Sequence, residues 1–336
     1  MLSLSLPALA LWSTVRLTVF HWAFFLWAAI ATVAIAWSLN RWDAVWGWWQ
    51  VILFVLAFYY ASSKFTLERL FVGFGIGANL SAIVAIAQAY GYHPVMVNEQ
   101  NIAGLYYNSM YAGEIFAVTI LGLGLYHRWR LIPLPLVALF LSHSHAGWIG
   151  LGIGVVVSRF RYPLLLVIGA AVAALAFTYH FRPSDAERLQ VWYAALTNLT
   201  LFGHGPGSFL SLWYPRDAST LIFPEYAHND ALQLVFEYGA LALIPLGALL
   251  ALAIRPTSRE WPIYIAILFM GLVSFPLYTP ILAFFGASVA GVLAGDWNLR
   301  WNLRPGRGLD LLLGRAAPLT ADGHSRRDAL PLVSRT

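Results

Sequence analysis

The 336 residues contain no cysteine, which excludes a disulfide framework, a thiol nucleophile and any cysteine-ligated zinc or iron–sulfur site. Charge is scarce as well, with Asp, Glu, Lys and Arg together making 10% of the chain. An ordinary soluble globule carries more than twice that share. No P-loop or dinucleotide fingerprint occurs, and no Asp-x-Asp pair falls in a predicted loop. There is no repeat at a fixed period and no inverted repeat strong enough to argue a transporter. What fills the chain instead is apolar: 60% hydrophobic residues, with 15 Trp, 16 Tyr and 21 Phe, and a mean hydropathy of +0.69. Apolar runs recurring from end to end place it among multi-spanning membrane proteins. The formal net charge of +5 comes from basic residues scattered between those runs, so it reports membrane orientation and not nucleic-acid binding.

Stretches of about 17 to 25 apolar residues read as spans. They fall near 17–38, 46–62, 69–90, 110–126, 129–143, 145–158, 163–179, 231–254, 261–276 and 280–295. The expected fold is therefore all-α, a polytopic membrane bundle of about ten transmembrane helices with an uncleaved first span. Parity assigns Arg16, Lys64, Arg69, Arg128, Arg130, Arg159, Arg161, Arg255, Arg259 and the arginines from Arg300 to Arg335 to one face. Arg41, Arg182, Arg188 and Arg216 fall opposite. By the positive-inside rule both termini are cytoplasmic and one long loop, 180–230, is extracytoplasmic. Basic clusters flanking 131–158 require a hairpin there, turning at Ser142-His143-Ser144-His145. Residues 1–295 form the membrane domain, and 296–336, rich in Arg, Gly and Pro, read as a mostly disordered cytoplasmic tail.

The titratable residues are unevenly distributed. His93, His143, His145, His180, His204 and His228 fall on the outer face, with Arg182, Arg188 and Arg216 in the outer loop. Histidine suits proton transfer near neutral pH, and arginine holds phosphate oxygens in a forked geometry. The turn GHGPGSF, Gly203 to Phe209, has glycines at Gly203, Gly205 and Gly207 that allow close backbone approach, so its N–H groups are candidates to cradle phosphate. Beyond it, Tyr226 to Leu246 runs from a polar cluster straight into a span. Asn229 or Asp230 is a fitting N-cap, and Asp230, Gln233 and Glu237 share one helical stripe. An acid two turns inside a span marks either a functional site or a hydrogen bond to a neighbouring helix. Glu114 invites the same reading.

GHGPGSF followed some twenty residues later by HND-x-LQLVFEYG resembles the O-antigen ligase and polymerase superfamily, whose members carry G-x-G-x-G-x-F and then H-N-x-x-L-x-x-x-x-E-x-G. Arg188 and Trp192 in RLQVW are similar to that family's lead-in to the loop, and Gly104 to Glu114 to its asparagine-containing segment before a span. Where the family has a Ser-Arg-Gly-like element, this chain reads Ser144-His145-Ala146-Gly147, with histidine in place of arginine. The resemblance implies a membrane glycosyltransferase of ligase or polymerase type, inverting and independent of metal or cofactor. Its donor is a polyprenyl-diphosphate-linked glycan and its acceptor a hydroxyl on a lipid-anchored sugar or lipid-linked repeat. The implied site faces away from the cytoplasm of an inner membrane. In it His228 is the base, Asp230 and Glu237 position neighbouring groups, and Arg188, Arg216, His145, Gly203, His204, Gly205, Gly207 and Asn229 bind substrate. The alternative is a transporter or translocase of lipid-linked sugars that forms no bond.

Overall fold

The computed structural model describes residues 17–62, 67–93, 102–106, 108–159, 183–209, 226–254 and 258–302. These residues are helical, with no strand among them. Eleven α-helices follow in order among them: α1 Val19–Ala34, α2 Arg41–Ser62, α3 Leu67–Ala89, α4 Ser109–Leu125, α5 Pro133–Ser142, α6 His145–Arg159, α7 Pro183–Thr197, α8 Asp230–Tyr238, α9 Leu243–Ile254, α10 Trp261–Val273 and α11 Pro280–Asn302. Four segments are long and apolar enough to cross a membrane: Val19–Trp37, Arg41–Ser62, Leu67–Ala89 and Asp230–Ile254. Shorter apolar helices accompany them at Ser109–Leu125, Trp129–Ser142, His145–Ser158, Trp261–Val273 and Pro280–Asp296. This is the pattern of a multi-pass membrane protein. The apolar run at 163–179 lies outside the described residues.

Helix starts follow local chemistry. Thr18 caps α1 by accepting from the amides of Phe20 and His21, and His21 Nδ1 accepts in return from Thr18 N at 3.0 Å, which makes a capping box. His21 Nε2 also bonds Ser62 Oγ at 2.9 Å, tying the start of α1 to the end of α2. Asn108 caps α4 by accepting from Met110 N. The chain breaks between α5 and α6 at His143, which takes the left-handed conformation at φ 51°, so the run 131–158 is divided into two helices at the expected position. Along its arms small residues let helices close up. Gly147 of α6 lies against the Gly113 backbone of α4, Gly154 against Leu121, and Gly150 against Met270 of α10.

Three elements depart from the expectation. The loop 180–230 begins with a helix, α7, whose mean hydropathy is too low to announce it, and which opens on Pro183, a residue suited to a first helical turn. The span 231–254 is broken into α8, a 3₁₀ turn Gly239–Ala242, and α9. Finally, α11 runs on to Asn302, past the boundary at 295, because polarity rises there before any helix breaker arrives. The compact unit that holds the bundle ends at Asn298. Residues 303–336, assigned to the tail, are outside the described set.

Candidate active site

The break in the 231–254 span explains the glycine turn. A helix that stops inside a bundle leaves carbonyls without partners. The turn answers them: His204 N donates to Phe236 O at 3.1 Å and Gly205 N to Glu237 O at 2.9 Å, while Ala240 N turns outward to Leu201 O at 2.9 Å. Close approach requires glycine, since a Cβ on Gly203 would meet the Glu237 carbonyl and one on Gly239 the Leu201 carbonyl. Both stand at positive φ, 70° and 58°. Gly207 N donates to Glu237 Oε1 at 3.1 Å, and Gly203 N to Thr200 O at 3.3 Å. The amides of Gly203, His204, Gly205 and Gly207 are therefore bonded within the chain, to backbone carbonyls and to the Glu237 carboxylate. The His204 ring, too, is occupied: Nε2 bonds Asn198 O at 2.6 Å and the ring stacks on Phe236.

Glu237, fully buried, is the hub of this arrangement. Besides Gly207 N, its oxygens accept from Gln233 Nε2 at 2.8 Å and Tyr278 OH at 2.8 Å. Gln233 in turn accepts from Ala227 N at 2.6 Å. The hydrogen-bonding alternative raised for Glu237 is what the geometry displays, with the acid binding a turn and the Pro276–Tyr278 segment to α8.

A second polar group gathers one step away, where the start of α8, the start of α4, the end of α10 and the middle of α7 meet. Asn229 caps α8, accepting from Leu232 N at 3.0 Å while its Nδ2 donates to Leu272 O at 3.1 Å. Arg188 of α7 donates to Val273 O at 3.3 Å and reaches Met110 Sδ at 3.9 Å. Ser144, beside His145 at the hairpin tip, bonds Met110 O at 3.0 Å, which brings that tip to the same neighbourhood. His228 holds a positive φ of 52°, uncommon for a side chain of its size, and presents its ring edge-on to Phe275 at 4.9 Å.

Unlike the first group, this one is incompletely bonded. Among the described residues, His228 Nδ1, Asp230 Oδ1 and both carboxylate oxygens of Glu114 are buried without a hydrogen-bond partner. Buried polar atoms of this kind are exceptional and ask for an explanation. The other Asp230 oxygen accepts from Leu277 N at 3.1 Å. The Arg188 charge acts on both Glu114 and His228. Burial, aided by that charge, pushes the His228 imidazole down to about 4, so near neutral pH it is uncharged and able to accept a proton.

The structure thus brings His228, Asn229, Asp230 and Arg188 together, with His145 nearby, and it assigns Glu237 and the glycines to the adjoining clasp. Arg216 and His180 lie outside the described residues. Glu114 joins the site from α4 with Ser274 beside it. Its buried acid was visible in the sequence, but its place within reach of the Arg188 charge depends on helix packing. No family profile matches the chain, and no curated protein does.

Proposed function

We propose that this protein is a membrane glycosyltransferase that moves a glycan from a polyprenyl-diphosphate carrier to a hydroxyl acceptor, with its site on the extracytoplasmic side of a bundle of about ten spans. The observation that carries the reading is the neutral, incompletely bonded His228 imidazole beside the Arg188 guanidinium at a bundle end. In the reaction His228 removes the acceptor hydroxyl proton as the oxygen attacks the anomeric carbon. The bond from that carbon to the diphosphate oxygen breaks, and the electron pair leaves with the polyprenyl diphosphate. A single displacement inverts the anomeric centre. Arg188 neutralises the departing charge, in company with Arg216 of the loop, and this needs no metal because the diphosphate is already a good leaving group. The resemblance of Arg188, the glycine turn and the HND helix start to the ligase and polymerase superfamily supports the same reading.

The test is His228→Ala expressed at the wild-type level and reconstituted with a lipid-linked glycan. Losing a positioned base lowers turnover by about 100-fold or more, whereas wild-type transfer by the variant removes the assignment. Relocation of the glycan across the vesicle with no new glycosidic product, in the wild type, identifies a translocase instead.

A further inference from the structure

A cavity of about 220 Å³ opens beside the clasp, lined by Asp43, Trp46 and Gln50 of α2 and by Tyr226, Gln233 and Tyr278. Its floor is the contact between Gly47 and the glycine turn, which is tight enough that a Cβ on Gly47 would stand 2.9 Å from Gly207 N. The volume is below the roughly 300–1,000 Å³ of sites for drug-sized ligands and is on the scale of one sugar ring. We infer that this cavity is a saccharide subsite that takes an uncharged pyranose ring, an inference that rests on the glycosyltransferase reading above.

Three features define the ligand. First, Asp43 is the only charged residue among the described residues that line it, and its carboxylate is an acceptor for hydroxyl groups. Second, the walls pair hydrogen-bonding groups with aromatic faces. Asp43 Oδ2 already accepts from Asn40 Nδ2 at 2.7 Å, which holds the carboxylate with its second oxygen left over. Gln50, 8% exposed, donates Nε2 to Tyr278 O at 3.3 Å, and its Oε1 accepts nothing from the described residues. Trp46, 57% exposed, offers a flat apolar face of the kind that packs on the C–H side of a sugar ring. Third, the cavity adjoins the base. Tyr226 stacks on Phe275 with centroids 4.5 Å apart, and Phe275 meets His228 edge-on, so two aromatic rings separate a sugar seated in the cavity from the imidazole. Arg188 and His228 lie on one side of these rings and the Asp43 and Gln50 acceptors on the other.

The pyranose comes either from the donor glycan or from the acceptor, and the experiment separates them. The full chain, purified in detergent, is examined by saturation-transfer NMR with methyl pyranosides of glucose, galactose, mannose and N-acetylglucosamine. We expect saturation transfer to at least one, weakened about tenfold by Trp46→Ala and by Gln50→Leu. Thermal midpoints check that each variant is folded; the exposed Trp46 makes its replacement the safer of the two. In the transfer assay the same variants raise the KM for whichever substrate supplies the ring about tenfold and leave kcat within threefold: the donor's KM identifies a donor subsite, the acceptor's an acceptor subsite. Absence of saturation transfer to any pyranoside, or equal transfer in the wild type and a folded Trp46→Ala protein, overturns the inference. Pyranoside binding by a wild type that forms no glycosidic bond upholds the subsite and overturns the glycosyltransferase reading.

Discussion

Asp230 and Glu237 are both buried acids on one face of α8, two turns apart, and their circumstances are opposite. Both Glu237 oxygens are engaged, by an amide, a carboxamide and a phenol. Among the described residues one Asp230 oxygen, both Glu114 oxygens and the His228 Nδ1 have no hydrogen-bond partner. The difference separates architecture from chemistry within a single helix. A fully bonded acid in a low-dielectric interior fixes positions, whereas a cluster that leaves several polar atoms unbonded is a site completed by something else, either ligand or water. A buried carboxylate in a span is thus an ambiguous signal by itself, and its hydrogen-bond count resolves the ambiguity.

That contrast breaks if the two acids and their neighbours respond alike to substitution. The largest separation is expected between His228→Ala and Glu237→Ala. The histidine variant loses turnover by about 100-fold or more while its thermal unfolding in detergent stays near that of the wild type, since no hydrogen bond is removed. Glu237→Ala leaves Gly207 N, Gln233 and Tyr278 OH without their acceptor, so stability falls by about 3 kcal/mol. Glu237→Gln retains an acceptor oxygen and loses about 1 kcal/mol. If Glu237→Gln abolishes transfer in a protein that melts like the wild type, the acid belongs to the chemistry and the division fails.

A smaller effect tests the turn. Gly239 stands at φ 58° against the Leu201 carbonyl, so Gly239→Ala strains the junction where α8 stops and lowers stability by about 1–3 kcal/mol. Its melting midpoint drops without any change in the apparent affinity for the donor's diphosphate. A selective loss of diphosphate affinity at unchanged stability would instead restore the turn as a phosphate cradle.

Hydropathy located the apolar helices among the described residues, because spanning or burial demands long apolar runs, and the break at 142–145 was legible from the polar residues that interrupt the run there. Asn229 at the head of α8 was legible as a cap from its residue type and the apolar run after it. The break at Gly239 was not. Apart from Gln233 and Glu237, residues 231–254 are apolar or aromatic with no breaker but Gly239 before Pro245, and the cost of interrupting them is met by amides from Gly203–Gly207, far away in the chain. The same distance hid the role of the turn: its glycines announce close approach, but not what is approached. Glu114 and Arg188 could each be singled out, yet their meeting follows from α4 and α7 both reaching the end of α10. No local pattern encodes it. Helix α7 left no such trace for a different reason, since its composition is too polar to register as a span.

The finest effect concerns the electrostatics of the incompletely bonded group. Burial first, and the Arg188 charge second, hold the His228 imidazole down to about 4 from an ordinary 6.5. The proposed base works in its neutral form, so in the free enzyme it stays competent until the pH falls toward that low value. Arg188→Gln removes the positive charge and leaves the burial. Protonation of His228 then occurs at a higher pH, though still below 6.5, and the acid limb of the kcat/KM profile moves upward. Arg188→Lys keeps the charge and should leave the limb in place while weakening donor binding through loss of the forked geometry. Bound diphosphate compensates the same charge, so in the wild type the acid limb of kcat, which reports the substrate complex, lies above that of kcat/KM. Profiles of the three proteins with a lipid-linked donor measure all of this. A limb that stays put in Arg188→Gln means that the guanidinium and the imidazole do not sense one another, and the two would then have to be assigned to separate sites.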